Sequence, residues 1–125
     1  MVGCDRYVPG AAAGHSSPGV RILIEHIDAD TLAVRIAAWK TLVLDVRDAN
    51  ASQSGRIPEA LRIPISELAR GVRGLPLETC LTVVCDTGEQ ASAAAVTLWD
   101  CGYRNIAVLK GGFSSYLERG LPVAR

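Results

Sequence analysis

The chain has 125 residues, of which 49% are hydrophobic, and this is enough for one globular domain with a single core. Thirteen basic and thirteen acidic residues give a formal net charge of zero, so the charge balance indicates neither nucleic-acid binding nor binding to an anionic membrane. No apolar run approaches the length of a membrane span and the N-terminus lacks the pattern of a signal peptide, so we expect a cytoplasmic protein.

The character of the sequence changes near residue 20. Residues 1–19 contain four glycines and two prolines without periodicity, which is typical of a flexible segment. Residues 20–125 form the expected domain, and within it residues 21–27 are apolar and β-branched enough for a short strand. Asp28 or Asp30 can provide the N-cap of a helix that follows this strand. The apolar positions of that helix recur at helical spacing and are Leu32, Ile36 and Trp39.

The next patterns continue the alternation of strand and helix. Residues 41–46 form a nearly continuous apolar run, typical of a strand that is covered on both faces. The polar residues 47–55 predict a loop with a short helix. A brief strand is expected over residues 61–63, followed by a helix over residues 67–72 with Ser66 as its N-cap.

A cysteine between a strand pattern and a helix pattern is the most informative feature of the sequence. The β-branched run at residues 82–84 is followed by Cys85, and the helical pattern begins after a short polar stretch. At such a corner, backbone N–H groups and the positive end of the helix dipole stabilise a thiolate or a bound anion. Cys85 is therefore the candidate nucleophile. The residues expected to form its anion-binding loop are Asp86, Thr87, Gly88, Glu89, Gln90 and Ala91.

The helix after this loop and the last strand complete the pattern. The apolar face of the helix is predicted to contain Ala91, Ala94, Ala95, Leu98, Trp99 and Cys101. Gly102 is placed to end this helix, and residues 105–109 predict a β-branched strand. A final helix over residues 113–118, ended by Gly120, closes the sequence.

The spacing of the cysteines predicts no metal site, and Cys80 is not expected to be a resolving thiol for Cys85. The four cysteines lack paired metal-ligand spacing and lie far in sequence from the two histidines, so no metal is expected. Five extended residues would separate Cys80 from Cys85 by roughly 16 Å between Cα atoms, beyond the limit of about 7 Å for a disulfide. Cys80 and Cys101 occupy apolar strand and helix positions, where burial would keep their thiols inert.

Strands that alternate with helices predict an α/β fold, with a central, mostly parallel, five-stranded sheet and helices on both faces. Ligands of such sheets bind beyond the carboxyl ends of the strands. Three strand ends should meet there, and we expect their residues to support the site: Asp45 and Arg47, Cys85 with its loop, and Gly111 and Gly112. The glycine pair fits either an ordinary turn or a close backbone approach to the cysteine loop.

These segments, in this order, resemble a single rhodanese domain from about residue 26 to the C-terminus. The residues that carry the resemblance are Asp45-Val46-Arg47, Gly55-Arg56-Ile57-Pro58-Glu59-Ala60, Ile63-Pro64, Val84-Cys85-Asp86-Thr87-Gly88 and Leu109-Lys110-Gly111-Gly112. The resemblance implies a rhodanese fold and a sulfurtransferase that carries a persulfide on Cys85. It also implies a small sulfane-sulfur donor, a thiol or protein acceptor, and no metal or organic cofactor.

The sequence also departs from the family pattern. The cysteine loop carries Asp86 and Glu89 and no basic residue, so its carboxylates should oppose a thiolate and repel an anionic donor such as thiosulfate. Arg56 stands where a histidine is usual, and Ser52 and Tyr116 stand where bulkier aromatics are common. These three changes are expected to alter packing and the pocket rim more than the chemistry.

Two interpretations remain open from the sequence. One is a sulfurtransferase or persulfide carrier that uses Cys85, and the other is a non-enzymatic interaction or regulatory module of rhodanese fold. A cysteine phosphatase or arsenate reductase is disfavoured, because that mechanism needs an arginine at the sixth position after the cysteine, which is Ala91 here.

Overall fold

A computed structural model describes residues 24–47 and 55–124, and these residues form five strands and four α-helices. The strands are β1 (Glu25–Ile27), β2 (Leu42–Asp45), β3 (Leu61–Arg62), β4 (Leu81–Val84) and β5 (Ile106–Leu109). The helices are α1 (Ala29–Ala37), α2 (Leu68–Gly71), α3 (Glu89–Asp100) and α4 (Gly112–Glu118), and a 3₁₀ turn, Ile65–Glu67, leads into α2. The expected flexible segment, residues 1–19, and the short helix expected within residues 47–55 lie outside the described residues.

The five strands form one sheet in the order β1-β5-β4-β2-β3, and every pair of neighbours is parallel. The predicted α/β fold with a five-stranded parallel sheet is therefore confirmed. Because β5, β4 and β2 are neighbours, their carboxyl ends lie side by side at one edge of the sheet. None of the helices in the described ranges is long and apolar enough to cross a membrane.

Successive residues of the central strands pack against opposite faces of the sheet, which explains their continuous apolar runs. On one face, Leu44 and Val83 join a buried cluster that includes the apolar side of α3 and Leu68 of α2. On the other face, Val43 and Val84 join a second cluster with α1 and α4. Helices thus cover both faces of the sheet, with α3 packed on one face and α4 on the other.

Helix α1 begins as predicted but ends earlier. The Asp28 side chain accepts a hydrogen bond from the Thr31 amide at 2.8 Å, so Asp28 is the N-cap. The prediction that Trp39 lies on the apolar helix face is wrong, because the helix stops at Ala37 and Trp39 is 85% exposed. Trp39 has a φ of 57° in the closing turn, where the amide of Lys40 bonds back to the carbonyl of Arg35.

Three further local predictions fail for reasons of geometry. Ser66 is not an N-cap, because the first turn begins at Ile65, two residues before the predicted helix start, and Ser66 lies inside this 3₁₀ turn. Cys101 is exposed rather than apolar and buried, since α3 ends at Asp100 and Cys101 caps it. Cys80 is only partly buried, because β4 begins one residue after it. Burial therefore does not separate these two thiols from solvent.

Candidate functional site

The corner that contains Cys85 is built by the end of β4 and the start of α3. Val84 is fully buried in the sheet, and the chain leaves the sheet at Cys85, which is 1% exposed. The Gly88 amide donates a hydrogen bond to Sγ of Cys85 at 2.9 Å. Gly88 has a φ of 100°, a left-handed conformation that turns the chain directly into α3. The sulfur therefore meets a backbone N–H at the positive end of a 12-residue helix.

The loop expected over residues 86–91 is shorter in the structure. Only Cys85, Asp86, Thr87 and Gly88 lie between β4 and α3, because α3 begins at Glu89. Gln90 is exposed in the first helical turn, whereas Ala91 is fully buried beneath it. The sixth position after the cysteine thus carries a buried alanine that packs in the core.

The turn before α4 packs directly on the cysteine loop. A Cβ atom on Gly112 would lie 2.4 Å from the Cys85 carbonyl oxygen and 2.6 Å from that of Asp86. The Phe113 amide donates to the Cys85 carbonyl at 2.8 Å, and the Ser114 amide donates to the Asp86 carbonyl at 3.2 Å. The glycine pair thus makes a close backbone approach to the loop in addition to its turn.

Gly111 and Gly88 contribute to this approach in different ways. Gly111 has a φ of 74° and starts α4 without a side-chain cap, while a Cβ on Gly88 would lie 3.3 Å from the Gly111 amide nitrogen. The two turns are therefore packed backbone to backbone, with little room for side chains between them.

The end of β2 supplies a buried ion pair. Asp45 is 2% exposed and accepts hydrogen bonds from Nε and Nη2 of Arg47 at 2.9 and 2.8 Å. Nη2 of Arg47 also donates to the Gly55 carbonyl at 2.9 Å. The guanidinium carbon lies 4.1 Å from the centroid of the Phe113 ring, which is a cation–π geometry. Arg47 thus connects β2 to the residue that binds the Cys85 carbonyl.

The acidic side chains of the site are on its surface. Asp86 has a side chain that is 66% exposed, and its Oδ1 lies 4.0 Å from Nη1 of Arg47. Glu89 is exposed in the first turn of α3, and Thr87 is exposed beside it. The loop has no basic residue of its own, but the fold brings it a cation from the end of another strand.

Two participants were missed from the sequence. Phe113 was expected only as the start of a helix, yet it holds the Cys85 carbonyl and the guanidinium of Arg47. Gly55 was grouped with a polar loop, yet its carbonyl accepts from Arg47. A buried arginine needs hydrogen-bond acceptors for its N–H groups. The position of Arg47 at the end of a buried strand was the one signal in the sequence that backbone carbonyls such as that of Gly55 would contact it.

The ring of Tyr116 packs against the ring of Phe113. Tyr116 stacks on Phe113 with ring centroids 6.0 Å apart, and its hydroxyl donates to the Pro122 carbonyl at 2.6 Å. Burial raises the pKa of the Tyr116 hydroxyl. The neutral tyrosine therefore ties the C-terminal segment to the helix that contacts the site.

A separate groove of about 690 Å³ lies at the amino ends of β2 and β4, at the opposite edge of the sheet from Cys85. Its lining includes Trp39, Lys40, Thr41, Glu59, Glu78 and Cys80. Within residues 24–47 and 55–124, no group of three or more histidine, cysteine or acidic side chains could hold a metal ion.

Comparison with models of protein families identifies the family of this chain. The family model of the rhodanese-like domain matches residues 28–119. The chain is a member of the rhodanese-like family. The match includes both ends of the described site, from the Asp45–Arg47 pair to the turn at Gly111 and Gly112.

Named relatives of this rhodanese-like domain include sulfurtransferases. A protein of Allochromatium vinosum named sulfurtransferase is 26% identical over 102 residues, which are 81% of this chain and 95% of that protein. The thiosulfate sulfurtransferase GlpE of Shewanella oneidensis is 29% identical over 94 residues, 75% of this chain and 93% of its own. Proteins named as sulfurtransferases are therefore similar to this domain over most of their own length.

Solved structures agree with the fold. The crystal structure of a rhodanese-related protein from Thermoplasma volcanium has a TM-score of 0.72 and 35% sequence identity, and the match covers 80% of this chain and 97% of that one. The solution structure of the rhodanese-like domain of an Anabaena protein has the same TM-score, 0.72, with 29% identity over 80% of this chain and 78% of that chain. The rhodanese fold predicted from the sequence is thus confirmed.

Proposed function

We propose that this rhodanese-like domain is a sulfurtransferase that carries sulfane sulfur as a persulfide on Cys85. The observation that carries the proposal is the 2.9 Å hydrogen bond from the Gly88 amide to Sγ, made at the start of a helix. An N–H donor and a helix dipole that both face the sulfur stabilise its anionic form, which is the form that attacks.

The proposed reaction has two displacement steps. The Cys85 thiolate attacks the outer sulfur of a donor, the bond between that sulfur and the rest of the donor breaks, and the remainder leaves with its electron pair. The product on the protein is Cys–S–S⁻. An acceptor thiolate then attacks the outer sulfur, the S–S bond to Cys85 breaks, and the thiolate is regenerated. Sulfur is both the group transferred and the leaving group, so no metal or organic cofactor enters either step.

Burial of Cys85 limits the shape of the donor. Because the residue is 1% exposed, a donor has to present its sulfur at the end of a narrow group. Once transferred, the outer sulfur extends the side chain by one bond of about 2 Å and moves the reactive atom toward solvent, where a thiol or protein acceptor can approach. The acidic rim formed by Asp86 and Glu89 makes a dianion such as thiosulfate a poorer donor than an organic persulfide without net negative charge.

The test is an intact-protein mass spectrum after incubation with each donor, before and after addition of a thiol acceptor. The wild-type protein is expected to gain one sulfur atom and to lose it to the acceptor, while Cys85→Ser gains none. Cys101→Ser is the matched control, because Cys101 is the exposed thiol among the described residues and could react adventitiously. Sulfur uptake by Cys85→Ser at another cysteine would show that the nucleophile is assigned wrongly.

A different result would favour the non-enzymatic module. If Cys85 takes sulfur from neither donor and also resists a neutral alkylating reagent at neutral pH, the corner is a structural turn and the domain acts by binding. That outcome would agree with the burial of Cys85 and the exposure of its acidic loop.

A further inference from the structure

Arg47 is a buried arginine whose contacts extend well beyond its ion pair with Asp45. It is 1% exposed, and its guanidinium donates to the Asp45 carboxylate and to the Gly55 carbonyl. These bonds fix the plane and the position of the guanidinium. A buried charge fixed in this way is costly to move, so whatever it contacts next is held by a rigid group.

The next contacts of Arg47 reach the cysteine loop by two routes. Its guanidinium carbon lies 4.1 Å from the centroid of the Phe113 ring, and the Phe113 amide donates to the Cys85 carbonyl at 2.8 Å. Through Nη1 it lies 4.0 Å from Oδ1 of Asp86, the residue that follows the cysteine. The first route ends on the carbonyl of Cys85, and the second ends on the side chain of the next residue.

We propose that Arg47 is a positioning residue for Cys85, and that Asp86 is the side chain through which it holds the loop. The proposal rests on the proposed function only in taking Cys85 as the reacting thiol. It separates two carboxylates that look equivalent in the sequence. Asp86 lies near a fixed cation, whereas the side chain of Glu89 makes no hydrogen bond or ion pair within the described part of the chain.

The two carboxylates therefore have opposite effects on reactivity. A negative charge near a thiolate always opposes it, so neutralising either carboxylate removes some repulsion. Neutralising Asp86 also releases the loop from Arg47, so that the Gly88 amide no longer faces Sγ in every molecule. We expect this loss of alignment to outweigh the gain from removing the charge.

The experiment compares Asp86→Asn with Glu89→Gln, two single charge removals in the same short segment. The rate of alkylation by iodoacetamide, a neutral reagent, is followed on the peptide that contains Cys85, with all proteins folded. Asp86→Asn is expected to lower this rate by about threefold, on the order of the coupling of a half-exposed ion pair, and Glu89→Gln to raise it by about twofold. If both substitutions raise the rate, Asp86 acts only as a charge and the proposal is overturned.

Arg47→Lys tests the other end of the contact. Lysine keeps the charge but lacks the planar fork and the stacking face, so the rate is expected to fall by about tenfold. Arg35→Lys is the matched control, since Arg35 makes bonds of 3.0 and 2.8 Å to Glu25 far from the cysteine, and its rate should stay within about twofold of the wild type. An equal, small effect of both substitutions would refute a positioning role.

The outcomes stay separable from those of the proposed function. If Arg47→Lys fails to fold, the comparison of Asp86→Asn with Glu89→Gln decides alone, because both side chains are exposed and their replacement is tolerated. If Cys85 forms no persulfide but the two carboxylate variants change alkylation in opposite directions, the sulfurtransferase proposal fails and the role of Arg47 stands.

Discussion

The close approach of Gly112 to the cysteine loop gives the sharpest stability prediction. Gly112 has a φ of +62°, and an added Cβ would lie within 2.4 to 2.6 Å of backbone atoms of Cys85 and Asp86. Gly112→Ala therefore adds left-handed strain of about 1 kcal/mol and, since backbone atoms cannot rotate away, about 3 kcal/mol more from overpacking and a weakened Phe113 hydrogen bond. A total near 4 kcal/mol is a large part of the stability of a small domain.

Gly120→Ala provides a matched control for this prediction. Gly120 has a φ of +69°, and beyond its two chain neighbours no heavy atom of the described residues lies within 4 Å of its added Cβ, so it reports the backbone strain alone, about 1 kcal/mol. Urea unfolding gives both free energies, and the Cys85 alkylation rate measured in the folded range shows whether the corner has shifted. If Gly112→Ala costs no more than Gly120→Ala, the turn and the loop are not packed as described, and the argument for a rigid corner fails.

Two other substitutions test features outside the corner. Trp39→Gly is expected to raise the unfolding free energy by about 0.5 to 1 kcal/mol, because the exposed indole sits at a φ of 57° in a helix-ending turn that glycine adopts freely; a lower urea midpoint would show that the indole packs usefully beside its groove. Burial raises the pKa of Tyr103, so the folded state favours the neutral phenol and stability is fully present below the unfolded value of 10.0 and lost as pH rises above it. Tyr103→Phe removes bonds to the carbonyls of Val72 and Leu75 and should cost about 1 to 2 kcal/mol at neutral pH. Its urea midpoint should then fall less than that of the wild type between about pH 9 and about pH 11, and an equal fall would show that this phenol ionises freely in the folded state.

The sequence predicted the sheet well because its signals are periodic and local. Buried parallel strands read as apolar runs, and the Cys85 corner follows from a strand pattern that meets a helix pattern within a few residues. Element ends were less predictable. Trp39 and Cys101 fit the helical period, but each lies in a turn that closes a helix, and the period of 3.6 residues does not record where the hydrogen bonds stop.

The sequence predicted which residues lie near the site, but it did not predict the contacts between them. Asp45, Arg47, Cys85 and the glycine pair could be assigned to one edge of the sheet, since parallel strands end together. That Arg47 would turn toward Phe113 and Asp86 depends on contacts between residues 39 and 66 positions apart in the chain, and no local pattern encodes such contacts. The acidic loop therefore looked like an uncompensated repulsion in the sequence, while in the fold one of its two carboxylates lies near a cation.

The glycines around the corner are more informative about its chemistry than the charges of the loop. The sulfur accepts its hydrogen bond from a backbone amide, and the Cys85 and Asp86 carbonyls are held by the amides of the facing turn. Such a site needs two chain segments close enough for main-chain contact, which Gly88 and Gly112 permit and no other residue type would. The exposed side chain of Glu89, which makes no ion pair within the described residues, can then change its charge without dismantling the corner, whereas Asp86 lies near the guanidinium of Arg47.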